Sequence, residues 1–64
     1  MKIKDIDLSK YDYKRICVAT EHGDAFLPEN AEKALISIFG EQEISEENIT
    51  LTESRWLCLK PEKQ

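Results

Sequence analysis

Histidine, glycine and cysteine are scarce in this sequence, and their scarcity excludes most catalytic and cofactor-binding motifs. His22 is the only histidine, and it lies beside Gly23 in a predicted turn. Turns favour polar, solvent-exposed residues for reasons of backbone conformation, so this position does not indicate a functional histidine. Gly23 and Gly40 are the only glycines, so no glycine-rich phosphate loop can form. We expect neither enzyme activity nor a cofactor.

Cys17 and Cys58 are the only cysteines, and in a reducing cytosol we expect buried free thiols rather than a disulfide. With His22 they could supply three zinc ligands if the outer strands met, but the paired short spacings of structural zinc sites are missing. The acidic residues 41–47 lack the glycine and the alternating ligands of a calcium loop. We therefore predict no metal site.

Long apolar runs are also missing. No stretch approaches the roughly 18 apolar residues that a membrane span requires. Residues 1–7 interleave charged with apolar side chains, so they lack the apolar centre of a signal peptide. We expect a cytoplasmic protein without membrane contact. At 64 residues, the chain is expected to be one domain, residues 1–64, whose core is small and whose stability is marginal.

Acidic residues are present in excess and are segregated along the chain. The net charge is −4, yet residues 21–54 hold nine acids against Lys33 alone, whereas both flanking segments are basic. Such a charge distribution repels nucleic acid phosphates and attracts basic protein surfaces. The alternative interpretation of residues 41–48 is a solvated connection that keeps the protein soluble.

The hydrophobic pattern predicts an α+β fold in the order β-β-α-β-β, with one helix on one face of an antiparallel sheet of about four strands. The predicted strands are residues 14–20, 25–27, 48–52 and 55–60, and the predicted helix is residues 28–39. Residues 1–13 are predicted to form an arm that can hold one helical turn.

The helix is predicted from Pro28 at its first position and a left-handed cap at Gly40. Its apolar side chains recur at helical spacing and predict one stripe that faces the core: Ala31, Ala34, Leu35, Ile38 and Phe39.

The last strand is predicted to carry apolar side chains on both faces. A two-residue loop at Glu53 and Ser54 would place Leu51 opposite Trp56 and Ile49 opposite Cys58, and another loop length would exchange the two faces. One helix covers one face only. The second face must be covered by the arm or by another molecule; the arm offers Ile3, Ile6, Leu8 and Tyr11.

Three aromatic residues could serve an interface. Trp56 is expected in the core, because a domain this small needs its large side chains there, with an interface role as the alternative. Tyr11 and Tyr13 are candidates for partner contact. No basic stripe accompanies them, so direct binding of nucleic acid is not expected.

These features favour a small protein-binding module, an inhibitor or regulator, that presents an acidic surface to a basic site on a larger protein, with a nucleic-acid-binding protein as a natural target. In size and acidity the chain resembles the small anti-defence proteins of phages and mobile elements, including anti-CRISPR proteins, although no motif carries this resemblance. The alternative is a structural or assembly subunit, a homodimer or larger, that self-associates through an exposed strand face. The candidate partner-binding residues are Glu21, Asp24, Glu41, Glu43, Glu46, Glu47, Glu53, Tyr11 and Tyr13.

Overall fold

A computed structural model of the chain describes residues 1–62, which form a four-stranded sheet with an α-helix on one face. The predicted α+β fold is confirmed, with its elements in the predicted order along the chain. The strands are β1 (Arg15–Thr20), β2 (Gly23–Phe26), β3 (Ile49–Leu51) and β4 (Trp56–Leu59), and the helix is α1 (Glu32–Phe39). Short 3-10 turns lie at Ile3–Asp5, Leu8–Lys10 and Glu46–Asn48. Among these residues, no helix has the length and apolar character needed to cross a bilayer.

The sheet has the strand order β2-β1-β4-β3 and is mixed, because its two central strands, β1 and β4, are parallel. We predicted a wholly antiparallel sheet, and this prediction is wrong for the central pair of strands. The β1–β2 and β3–β4 hairpins are antiparallel. The chain leaves β2 at one edge and enters β3 at the other, so residues 27–48 form a crossover that contains α1. Strands that run in the same direction require such a crossover, and this one places β4 beside β1.

Gly23 closes the first hairpin with φ at +113°, a conformation that glycine adopts at little cost. The Thr20 hydroxyl donates a hydrogen bond to the Gly23 carbonyl at 2.6 Å and accepts one from the His22 amide at 3.2 Å. The predicted turn is therefore present, and the second strand begins at Gly23 rather than at Ala25.

Arg55 shapes the second hairpin, because its φ of +66° lies in the left-handed region. The Arg55 amide donates to the Thr52 carbonyl and the Thr52 amide donates to the Trp56 carbonyl, both at 2.9 Å. The loop therefore holds three residues, and a left-handed third residue is typical of such loops.

The three-residue loop makes the predicted two-residue register wrong. Leu51 pairs with Leu57 and Ile49 pairs with Leu59. Because one extra loop residue exchanges the two faces of a strand, Leu57 and Leu59 point into the core, and Trp56 and Cys58 lie on the opposite face.

The helix begins at Glu32, so the predicted start at Pro28 is wrong. Asn30 has φ at +58°, and this left-handed residue prevents a continuous helix from Pro28. Gly40 also differs from prediction, because it is right-handed, with φ at −59° and ψ at −29°.

The apolar stripe of α1 is narrower than predicted. Leu35 and Ala31 are buried and Phe39 is half-buried, whereas Ala34 is exposed and Ile38 is 64% exposed. The buried and half-buried apolar positions, Ala31, Leu35 and Phe39, recur every four residues, so the helix meets the core along a single row of side chains.

The core lies between the sheet and a layer made of α1, the N-terminal arm and residues 41–44. Its fully buried members are Ile3, Ile16, Val18, Leu35, Ile44, Leu57 and Leu59. The arm is held by backbone hydrogen bonds from the Ile3 amide to the Gln42 carbonyl at 2.9 Å and from the Ile44 amide to the Met1 carbonyl at 2.8 Å. The arm thus covers the same face of the sheet as α1 does.

Candidate partner-binding face

The second face of the sheet, which we call the open face, is covered by no helix or arm within residues 1–62. Strand alternation and the observed registers place eight side chains on it: Arg15, Cys17, Ala19, Asp24, Phe26, Thr50, Trp56 and Cys58. None of them belongs to the core cluster or is packed against it. Side chains on this face of the sheet therefore do not contribute to the core cluster.

An aromatic pair lies at the end of the open face where β1 and β4 begin. Phe26 is 65% exposed, and its ring meets that of Trp56 edge to face, with centroids 5.5 Å apart and planes at 82°. The Arg15 guanidinium carbon lies 6.0 Å from the centroid of the Trp56 ring. Tryptophan and arginine are the residue types most enriched among the side chains that dominate binding energy at protein interfaces. Phe26, Trp56 and Arg15 thus form a contiguous aromatic and cationic cluster on the open face.

A hollow of about 360 Å³ lies at the other end of the open face. Its apolar surface comes from side chains of the central strands, and its charged groups come from the sheet end. The lining residues are Cys17, Ala19, Asp24, Glu47, Asn48, Thr50, Cys58, Leu59 and Lys60. The apolar floor and a rim that carries the Asp24 and Glu47 carboxylates and the Lys60 ammonium suit a side chain that has an apolar stem and a polar or charged head.

Cys17 and Cys58 are free thiols in the middle of the open face. Burial raises the pKa of the Cys17 thiol, and the Asp24 carboxylate and the Cys58 thiol raise it further. Cys17 therefore stays protonated at neutral pH. Cys17 is buried as predicted, whereas Cys58 is only half-buried.

His22 does not join the cysteines. It is exposed in the β1–β2 turn and lines a different hollow, of about 400 Å³, together with Glu21, Phe39 and Glu62. In residues 1–62 no three side chains of the histidine, cysteine, aspartate or glutamate type lie close enough to hold a metal ion.

Two of the predicted partner-binding acids are already paired with the arm. Glu41 contacts the Lys4 ammonium at 2.9 Å and the Lys2 ammonium at 3.6 Å, and Glu43 contacts the amino group of Met1 at 3.5 Å. Hydrogen bonding to Lys4 and the charges of both lysines lower the pKa of Glu41. These acids thus fasten the basic arm to the crossover and leave little net charge there.

Four other predicted acids gather where β1 and β4 end and β2 and β3 begin. Glu21 follows β1, Asp24 lies in β2, and Glu46 and Glu47 lie in the 3-10 turn before β3. Within the described chain none of the four is part of an ion pair. We call them the acidic end of the sheet. Asp24 and Glu47 also line the hollow of the open face.

The remaining predicted residues lie apart from the acidic end. Glu53 is exposed in the β3–β4 turn, at the opposite end of the sheet. Tyr11 packs against the core, and Tyr13 donates a hydrogen bond to Glu32, so both tyrosines are occupied within the fold.

Phe26 and the Cys17–Cys58 pair were missed as site residues by sequence reasoning, and Trp56 was expected in the core. The available signal was the apolar character of both faces of the last strand, which requires a cover for each face. The loop length alone decided which face received Trp56.

Comparison of the chain with protein families, with curated proteins and with solved structures finds no match.

Proposed function

We propose that the protein is a small cytoplasmic protein-binding module, an inhibitor or regulator, that docks its open face and acidic end on a basic surface of a larger protein. One observation carries the proposal: an uncovered apolar face, on which the exposed Phe26 ring contacts the half-buried Trp56 ring, adjoins four carboxylates that make no ion pair within residues 1–62. A desolvated aromatic anchor beside a charged rim is the usual composition of a protein interface.

The negative charge of the acidic end also favours a basic protein as the partner. Carboxylates repel the phosphates of nucleic acids and raise the rate of encounter with cationic protein surfaces. A protein that itself binds nucleic acid offers such a surface. We propose a binding role without catalysis.

The proposal is tested with the binding partner. The partner is captured from the native host on this chain, identified by mass spectrometry and then purified. Association rates are measured at low and high salt for the parent, Glu47→Lys and Glu53→Lys. The two variants change the net charge equally, but Glu47 lies at the acidic end and Glu53 at the opposite end of the sheet. We expect Glu47→Lys to slow association and to lose most of its salt dependence, and Glu53→Lys to resemble the parent. Equal effects of both variants would show that only net charge matters and would refute the proposed site.

A second candidate, self-association as a structural or assembly subunit, is favoured by the distribution of charge on the same face. Arg15 lies at one end of the open face, and Asp24 and Glu47 lie at the other. A two-fold axis that lies parallel to the sheet and perpendicular to its strands would pack two open faces together and bring opposite charges into contact in a homodimer. Sedimentation of the parent and of Phe26→Ser decides this: a parent dimer that the substitution dissociates supports self-association, and a parent monomer excludes it.

A further inference from the structure

Cys17 and Cys58 occupy directly paired positions on the adjacent parallel strands β1 and β4. Neighbouring strands lie about 4.8 Å apart. This spacing is within the range of about 4.4–6.8 Å that disulfides span between Cα atoms. Both side chains are on the open face, so neither strand would need to rotate for the two sulfur atoms to meet.

The environments of the two sulfurs differ in a way that sets an order of reaction. Cys17 is 8% exposed, whereas Cys58 is half-buried. Both line the hollow of the open face, which is accessible from solvent. A small reagent therefore reaches Cys58 first, with Cys17 beside it.

We propose that Cys17 and Cys58 form a reversible intramolecular disulfide by exchange with a small-molecule disulfide of the glutathione class. The Cys58 thiolate attacks one sulfur of glutathione disulfide, which forms a mixed disulfide on Cys58 and releases one glutathione thiolate. Cys17 then loses its proton to solvent, and its thiolate attacks the sulfur of Cys58 and displaces the second glutathione. The two cysteine thiols are oxidised, and one glutathione disulfide is reduced to two glutathione molecules.

The resulting bond should be readily reduced. In a parallel pair the Cβ atoms of facing residues are separated by about the strand spacing, near 4.8 Å, whereas disulfides prefer about 3.5–4.5 Å. Strained and accessible disulfides are the labile ones, in contrast to the structural disulfides of secreted proteins. Oxidation would change the centre of the open face without changing any charge at the acidic end. This modification does not depend on the proposed function.

The test exposes the folded, reduced chain to excess glutathione disulfide, quenches with acid, blocks the remaining thiols and measures intact mass. We expect a monomer that is lighter than the dithiol form by two hydrogens and takes up no blocking reagent. Adding reduced glutathione should return it to the dithiol form. The rate of closure should rise with pH, because Cys17 must deprotonate and its pKa is raised by burial. Persistent thiols, a mixed disulfide that never closes, or disulfide-linked dimers alone would each overturn the proposal.

Two variants test the order of attack. Cys17→Ser should stop at a stable mixed disulfide on Cys58, and Cys58→Ser should stay unmodified while folded, because its remaining thiol is buried. If Cys58→Ser reacts in the folded state as fast as the parent, the assigned order is wrong. Circular dichroism establishes whether each variant is folded. If either is not, the parent experiment alone decides the proposal.

Discussion

The hydroxyl of Tyr13 donates a hydrogen bond to the carboxylate of Glu32, and this contact joins the N-terminal arm to the first turn of α1. Burial and the Glu32 carboxylate raise the pKa of Tyr13 from 10.0 to about 12. The same hydrogen bond lowers the pKa of Glu32. The N-terminus of the helix has no side-chain cap, and the arm also contacts the other end of α1, where the Lys4 amide donates to the Gly40 carbonyl at 3.1 Å.

Tyr13→Phe should therefore destabilise the fold by about 1 kcal/mol, the usual net worth of a hydrogen bond. In a domain of this size that corresponds to a fall in Tm of about 4–8 °C. Tyr11→Phe is the matched control, since Tyr11 packs against the core and its hydroxyl makes no hydrogen bond within residues 1–62. Equal melting temperatures for the parent and Tyr13→Phe would contradict the contact.

The pH dependence of stability provides a second readout for this contact. The folded-state pKa of Tyr13 exceeds its ordinary value, so its contribution is complete below about pH 10 and is lost as the pH rises toward 12. The folded-state pKa of Glu32 is lowered, so its contribution is present above the ordinary value of 4.5 and is lost as the pH falls through the lowered value. In Tyr13→Phe both losses should be smaller, as measured by denaturant unfolding across the pH range.

Leu35→Ala should cost about 2–5 kcal/mol, because Leu35 is fully buried and its removal leaves a cavity between α1 and the sheet. This loss is a large share of the total stability of a small domain. Ile38→Ala removes a similar side chain from the same helix, but Ile38 is 64% exposed, so we expect a change within about 0.5 kcal/mol. Chemical denaturation of both variants checks the orientation of α1, and similar losses would contradict it.

The contrast between Leu35 and Ile38 shows what hydrophobic spacing could and could not predict. The spacing correctly predicted a helix with an apolar stripe and the burial of Leu35. It could not show that Asn30 is left-handed, which delays the start of α1, or that Ala34 and Ile38 stay exposed while Leu35 is buried. Which side of the helix meets the core depends on tertiary packing, and hydrophobic spacing alone does not specify it.

The candidate site was predictable only in part, for a related reason. The charge segregation was correctly read from the sequence, but Glu41 and Glu43 are close to the arm's cations only after the arm folds against the crossover. The aromatic pair depends on the register of β4, which the conformation of Arg55 decides. Long-range pairing of this kind has no local signal in the sequence.

Gly40→Ala should destabilise the fold by about 1–3 kcal/mol, as overpacking in a filled site does. A Cβ atom at Gly40 would lie 2.3 Å from the Ile36 carbonyl oxygen, the same oxygen that accepts the Gly40 amide hydrogen bond at 2.9 Å. Ser37→Ala, at an exposed position of α1, should leave stability unchanged or slightly raised. A Tm for Gly40→Ala equal to that of the parent would show that the backbone there relaxes freely.

The melting temperature of the protein purified without reductant should be the same with and without a chelator, and with and without an added reductant. Cys17 and Cys58 are free thiols, and residues 1–62 hold no cluster that could bind a metal. We therefore expect hydrophobic burial to stabilise the fold without a metal or a disulfide. A large fall in Tm with the chelator would reveal a metal requirement, and a fall with the reductant would show that the disulfide is already formed and structural.

The backbone conformation of Arg55 decides which side chains of β4 form the open face. Its left-handed conformation costs a side-chain-bearing residue roughly 1–2 kcal/mol relative to glycine, and more for a β-branched residue. Its carbonyl also accepts the Lys14 amide at 2.7 Å, so the turn fixes the start of β1. The side chain makes one exposed ion pair, with Asp12 at 2.7 Å.

Substituting Arg55 by glycine and by valine separates the backbone requirement from the ion pair, because both variants lose the contact with Asp12. Glycine should leave stability close to that of the parent, since relief at a positive φ offsets the greater freedom of the unfolded chain. Valine should be less stable than glycine by about 1–2 kcal/mol or more, measured by denaturant unfolding. Tryptophan fluorescence of the valine variant should shift to the blue if the register slips and buries Trp56. Equal stability of the two variants would show that the left-handed turn at Arg55 does not determine the register of β4.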